Sequence, residues 1–280
     1  MQTTSSTSSG RPICRAGGER VSVFRGQWLI LPVNKPALEV SNGKKDPLGA
    51  ALKDQLRGKE NVIITVYSNV SEAEPLPGEL LFRGEEAMSA LEKQALDACY
   101  GRVLDLGAGA GGHSLALQAR GLDVVALDSS PGAVEVMKMR GVKQAIHADF
   151  RTWAPDQPFD TILLMMNGIG VAGTLDGLGD FLTQAKSWLT PNGQLVLDSS
   201  DLRPLLEEGA YLPEPEEEDG LFYCEIDYQM KYGSIKGEPF SWIYIDYPGL
   251  QTVAGLHGYT CDKLADGRFL DYLARLTPIF

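Results

Sequence analysis

Three aspartates and a cluster of glycines stand where they could hold a nucleotide-like ligand. Asp105 comes just ahead of the run Gly107-Ala108-Gly109-Ala110-Gly111-Gly112, and Asp128 and Asp149 stand at the ends of the next two apolar stretches. Glycine permits a tight turn and a close approach of ligand to backbone, and a helix that starts directly after the loop points its N–H groups at whatever is bound. Two patterns overlap here. Gly107-x-Gly109-x-x-Gly112 is a dinucleotide fingerprint, and the acid it requires about 20 residues on is met by Asp128. Asp105-x-Gly107-x-Gly109-x-Gly111 instead puts a carboxylate two residues ahead of the first glycine. A pyrophosphate there would be repelled, whereas a cation would be attracted.

The second pattern favours S-adenosylmethionine, which has no phosphate but carries an ammonium and a sulfonium. "IHADF" adds to it by placing Asp149 and Phe150 on the adenine side of the crevice, a carboxylate to accept from an exocyclic amine with an aromatic beside it. Strands and helices must hold these groups. "RVLDL", "DVVALD", "KQAIHADF", "FDTILLMM" and "GQLVLDSS" read as short strands, with "GGHSLALQAR", "GAVEVMKMR" and "LGDFLTQAKSWL" as helices among them. Such alternation predicts an α/β fold, a doubly wound and mostly parallel sheet covered on both faces, with ligands at the carboxyl ends of the strands. The tail departs from the rhythm. "LQTVAGLHGY" reads as a helix and "TCDKLADGRFLDYLARLTPIF" as two strands, so the sheet is expected to close with an antiparallel pair.

These stretches resemble the class I S-adenosylmethionine-dependent methyltransferases. The resemblance rests on "VLDLGAGAG" (103–111), "VVALD" (124–128), "HADF" (147–150), "FDTILLMMNGIG" (159–170), "GQLVLDSS" (193–200) and the final helix and strand pair, and it covers roughly residues 80–280. It implies a seven-stranded Rossmann-like sheet. It also implies that Asp105 serves the methionine end of the cofactor, that Gly107, Gly109 and Gly111 form the backbone loop beneath it, and that Asp128 accepts from the ribose hydroxyls. Asp149 and the backbone of Phe150 would meet the adenine, and Met166 and Asn167 would lie nearest the transferred methyl. "MMNGIG" lacks the Asn-Pro-Pro-aromatic run with which the family methylates exocyclic amines of bases or glutamine side chains. The expected acceptor is therefore a small molecule presenting an O, N or C nucleophile.

No catalytic base stands out. Asn167 and His147 are the candidates, and His113, on the first turn after the glycines, is as compatible with an exposed position as with a cofactor contact. Two rival functions remain open at this level: an NAD-dependent oxidoreductase, although no Tyr/Lys or His set for hydride transfer is apparent, and a non-catalytic nucleotide-binding protein of the same fold. The polyamine-synthase branch of the fold is a poorer match, since its acidic catalytic pattern has no counterpart.

Around the core, 101–200, the chain divides into further pieces. Residues 1–45 hold seven basic and two acidic residues and open with "MQTTSSTSSG", which predicts a disordered or loosely attached segment. Residues 46–100 read as a helical preface containing the strand-like "NVIITVYS", and the resemblance to small-molecule members of the family implies that this preface, with Phe82 and Arg83, forms one wall of the site. Residues 201–248 form an inserted lid in which "LFYCEIDYQMKYG" and "FSWIYIDY" pair as a hairpin. Its aromatics, Tyr211, Phe222, Tyr223, Tyr228, Tyr232, Phe240, Trp242, Tyr244 and Tyr247, either line a pocket or pack the hairpin on the sheet. "LPEPEEEDG" (212–220) reads as a solvated loop, and 249–280 is the closing helix and strand pair.

Composition narrows the partners. A formal net charge of −12 opposes a nucleic-acid substrate, whose affinity is built from Lys and Arg. Four scattered cysteines without a C-x-x-C pair predict a reducing, cytoplasmic setting, and three scattered histidines predict no metal cage. No apolar run approaches the roughly 20 residues that span a bilayer. Oligomeric state is not readable from the sequence.

Overall fold

A computed structural model describes residues 45–204 and 221–280. The predicted disordered start up to residue 44, Tyr211 and the acidic loop at 212–220 lie outside the described residues. Ahead of the glycines come α1 (Pro47–Leu56), β1 (Ile63–Ser68), β2 (Glu74–Pro77), α2 (Gly78–Leu81) and α3 (Ala90–Ala98). The core alternates β3 (Arg102–Leu106), α4 (Gly112–Ala119), β4 (Asp123–Asp128), α5 (Pro131–Arg140), β5 (Gln144–His147), β6 (Phe159–Leu164), α6 (Leu175–Trp188) and β7 (Leu189–Ser200). It is followed by β8 (Tyr223–Tyr232), β9 (Ile235–Lys236), β10 (Phe240–Ile245), α7 (Tyr247–Leu256), β11 (Tyr259–Asp266) and β12 (Asp271–Pro278).

The large sheet has seven strands in the order β11-β12-β7-β6-β3-β4-β5. β3 lies parallel to both β4 and β6, so the chain's direction of winding reverses beside it and the glycine loop opens at the switch point. β12 returns antiparallel to β7, and β11 runs antiparallel to β12, which is the expected closing pair. Continuous apolar runs suit strands covered on both faces: Val103, Leu104, Val125, Ile162, Leu163, Val196 and Leu197 are all at or near zero exposure. Helix starts follow local chemistry. Ser89 and Glu92 form a reciprocal capping box on α3, and Ser130, Thr174 and Asp246 each cap the helix that follows with a side-chain oxygen.

Two expectations need correction. The preface is not a separate helical piece: its expected strand, β1, and a second one, β2, join the inserted hairpin to make a second sheet, β10-β8-β1-β2, with β9 on β8. β1 covers the free edge of β8 (Thr65 opposite Lys231), which a lone hairpin would leave unpaired. The lid also ends earlier than expected, because Asp246 caps α7 from its side chain and Tyr247 already belongs to that helix, donating its hydroxyl to the Cys261 carbonyl at 2.9 Å.

α1 ties this second layer to the core. Its Gly49 faces Gly132 of α5 so closely that a Cβ on Gly49 would lie 2.5 Å from the Gly132 Cα. The Asp46 carboxylate caps α1 by accepting from Gly49 N (2.7 Å) and also accepts from Ser130 Oγ (2.8 Å) and Gly132 N (2.9 Å) at the start of α5. One side chain thereby caps two helices.

Candidate active site

The glycine loop folds back over the end of β4. Gly107 N and Ala108 N donate to the Leu127 carbonyl at 2.9 and 3.2 Å, and Gly109 N donates to Asp128 Oδ2 at 2.8 Å. The other Asp128 oxygen accepts from Ser130 N at 2.8 Å. Gly107 and Gly109 have φ of +76° and +55°, and a Cβ on either would meet no atom of the described residues within 4 Å. The space beside them is open, as a cradle for a ligand requires. Gly111, the left-handed N-cap of α4 at φ +79°, has its Cβ side filled instead: a Cβ there would strike Val142 at 2.8 Å and Met137 at 3.1 Å. Its lack of a side chain lets the start of α4 approach the end of α5.

Asp105 is buried at 2% exposure, accepts from Ser114 Oγ at 2.5 Å, and has its pKa raised by burial, against which the Ser114 bond and the charge of His113 work. Burial also raises Asp128, against its two backbone donors. Both carboxyls sit at strand ends without a salt-bridge partner among the described residues, so a cationic, hydroxyl-bearing ligand would relieve their desolvation. S-adenosylmethionine fits this donor set and the open cradle.

Beside them lies a buried charged group that the sequence did not bring together. Glu92 of α3 bonds Arg83 and, at 2.9 Å, His113 Nε2, while also accepting from Ser89 N at 2.9 Å. Burial opposes its charge, but these partners outweigh burial and hold its pKa at about 2. His113 is raised, burial being overcome by Glu92 and Asp105. It is therefore no exposed first-turn residue. Phe82 lies under the Arg140 guanidinium, 4.7 Å from its ring centroid, and the Arg83 carbonyl approaches Gly112. Both preface residues brace the glycine loop.

On the adenine side the outcome is mixed. β5 stops at His147, and Asp149 follows in a turn, half-exposed, accepting from Arg151 N at 3.0 Å. The Phe150 ring is core, edge-on to Phe181 at 5.6 Å and covered by Arg151, so it is not the aromatic expected beside Asp149. Only its backbone is available there. His147 is exposed and bonds the Ser129 carbonyl at 3.1 Å, away from the β6 end where methyl transfer would occur. It loses its standing as a candidate base.

After β6 the chain makes an unusual turn. Met166 and Asn167, both non-glycine, have φ of +69° and +55°. Three contacts hold it. Ser200 Oγ donates to Asn167 Oδ1 at 2.6 Å, Gly168 N donates to Asp198 Oδ1 at 2.9 Å, and the Trp242 indole N–H donates to the Asn167 carbonyl at 3.0 Å. Asp198 and Ser200, at the carboxyl end of β7, were not singled out from sequence, although their place at a strand end was the available signal. Trp242 shares its face of the second sheet with Phe240 and Tyr244, beside Tyr228, whose hydroxyl meets that of Tyr244 at 3.0 Å. Of the remaining lid aromatics, Tyr232 turns to Asp54 on α1 and Tyr247 to β11.

Burial pushes the Asp198 carboxyl up to about 6, the Gly168 N–H only partly compensating. A carboxyl whose folded pKa exceeds its unfolded value of 3.8 binds protons more tightly when folded, so its contribution favours the folded state below about pH 4 and is lost as pH rises through 6. At roughly 1.4 kcal/mol per unit, the ionised form costs about 3 kcal/mol. Asp198→Asn is expected to flatten this slope, melting higher than wild type at about pH 7.5 and losing that advantage near pH 4.5. An unchanged difference between the two pH values in thermal melts would remove burial of charge as the cause. Among the described residues no group of three or more His, Cys, Asp or Glu could hold a metal, and no helix is long and apolar enough to cross a membrane.

Residues 103–193 match the family model of a methyltransferase domain. A methyltransferase from Bacteroides fragilis, solved with S-adenosyl-L-homocysteine, superposes with a TM-score of 0.76 at 40% identity, over 86% of this chain and 98% of that one. Among curated proteins, the chain is 31% identical over 102 residues to the cypemycin N-terminal methyltransferase of a Streptomyces species (35% of this chain), and 30% identical over 154 residues to the demethylmenaquinone methyltransferase of Clavibacter sepedonicus (52% of this chain). It spans 42% and 61% of those two relatives. The choice between the two cofactors is thereby resolved towards S-adenosylmethionine, and the chain belongs to the class I S-adenosylmethionine-dependent methyltransferases.

Proposed function

We propose that the protein moves the methyl of S-adenosylmethionine to a small-molecule acceptor held between the second sheet and the carboxyl ends of β6 and β7. The observation that carries this is the pair of buried carboxyls, Asp105 and Asp128, flanking two glycines beside which the described residues leave open space. When bound, the cofactor supplies a methyl already activated on a sulfonium. What the chain adds is alignment and exclusion of water. Asp105 faces the methionine ammonium, Asp128 accepts from the ribose hydroxyls, and Asp149 with the Phe150 backbone receives the adenine. Met166 and Asn167 border the methyl, and the rings of Tyr228, Phe240, Trp242 and Tyr244 enclose the acceptor.

The net charge of −12 supports a small acceptor over a polyanion. Three buried cysteines, Cys99, Cys224 and Cys261, are thiols pushed up to about 12 by burial, which supports work in a reducing, cytoplasmic compartment. Calorimetric titration with S-adenosylmethionine, S-adenosylhomocysteine, NAD⁺ and NADH tests the site. Micromolar binding of the first two alone, about −8 kcal/mol, is the expected result. Binding of NAD⁺ or NADH alone would overturn it.

A further inference from the structure

Two consecutive left-handed residues without glycine cost about 1 kcal/mol or more each and persist only where surrounding contacts over-determine them. For Met166 and Asn167, two of the contacts, from Asp198 and Ser200, come from β7 in the rigid large sheet. The third comes from the lid. Trp242 stands on β10, and its ring lies so close to the backbone of Gly170 that a Cβ there would sit 1.9 Å from the indole nitrogen. The same strand face carries Phe240, edge-on to Trp242 at 6.1 Å, and Tyr244. A molecule pressing on this wall would therefore press on the residue that holds the Asn167 carbonyl.

We propose that Trp242 is a positioning residue that couples the two halves of the site: through its indole N–H and its seat on Gly170, the lid strand β10 and the Met166–Asn167 turn take up the cofactor as one piece. This rests on the reading above, in which that turn borders the cofactor. Reciprocity follows. Whatever factor the bound cofactor adds to acceptor affinity, the acceptor adds to cofactor affinity.

The test needs no acceptor. Trp242→Phe keeps a ring and deletes the donor; Gly170→Ala leaves the tryptophan intact and displaces it. Each is expected to weaken S-adenosylhomocysteine binding about tenfold in calorimetry, the loss of one hydrogen bond to a constrained carbonyl. Since both break the same seat, the double variant should be no weaker than the worse single one. In a Trp28→Phe background, tryptophan fluorescence should change on S-adenosylhomocysteine addition while Trp242 is present and not once it is Phe, because the two tryptophans then left, Trp153 and Trp188, are paired 5.5 Å apart at the end of α6.

Wild-type binding with both single variants within twofold of it would overturn the proposal, as would additive losses. A lowered melting point with unaltered S-adenosylhomocysteine affinity would also overturn it, making Trp242 a packing residue only. If wild type itself binds no S-adenosylhomocysteine, the reading of the site fails and this proposal falls with it. The two failures are thus told apart by the wild-type titration.

Discussion

Asp128→Ala is expected to weaken S-adenosylhomocysteine binding at least a hundredfold. The side chain does two things at once. Under the proposed function it accepts from the ribose, and in the protein alone it accepts from Gly109 N and Ser130 N, both at 2.8 Å. Alanine would leave those two donors without their acceptor, at about 1–3 kcal/mol for each one that stays buried. It would also free Gly109 from the φ of +55° that shapes the cradle. Asp128→Asn separates the roles, since one amide oxygen can still serve one of the two donors, and an intermediate loss is expected. Calorimetry beside thermal melts reads both effects. Full affinity in Asp128→Ala would show that the second carboxylate is not part of the binding site.

Gly49→Val is expected to be the most destabilising single change among the helix contacts. Its Cβ would stand 2.2 Å from Asp46 Oδ2 and 2.5 Å from the Gly132 Cα, atoms of a cap and a backbone that cannot step aside. Overpacking of this kind costs about 1–3 kcal/mol, and dislodging the Asp46 carboxylate from Ser130 and Gly132 adds the loss of a helix cap, about 1 kcal/mol. A fall of about 10 °C in the melting midpoint follows. Gly255→Ala in α7 is the contrast: beyond its own helix, no atom of the described residues lies within 4 Å of its Cβ position, and a small gain of up to about 1 kcal/mol is expected from helix propensity alone. Equal behaviour of the two variants would mean that α1 and α5 have room to separate.

The glycine loop, the parallel strands and the closing pair were legible in the sequence because each is written locally. Asp105 and its glycines lie within a few residues of one another, and "RVLDL" or "DVVALD" is apolar on both faces whatever its neighbours. The second sheet was only half visible. Nothing in "NVIITVYS" names its partner, and the pairing of Thr65 with Lys231 joins segments on either side of the whole core. Asp198 illustrates the same limit at the site. At the end of "GQLVLDSS" it has the look of a solvated strand end, and its burial becomes apparent only once neighbouring layers fold over β7. The ring of Phe150, though not its backbone, was misplaced for the opposite reason, since the strand of "IHADF" stops at His147 and the backbone turns.

The double cap at Asp46 bears on how the protein should be handled in the laboratory. Because that carboxylate grips Ser130 and Gly132, two and four residues beyond Asp128, Lys45 and Asp46 stand at the rim of the nucleotide crevice. β12 runs the other way, from Asp271 opposite Ser200 at the site end of β7 to Leu276 opposite Leu195, and Phe280 leaves at the far end of the sheet. An affinity tag or fusion partner joined at residue 45 would sit where the cofactor must enter, whereas one joined after Phe280 would be displayed on the opposite pole.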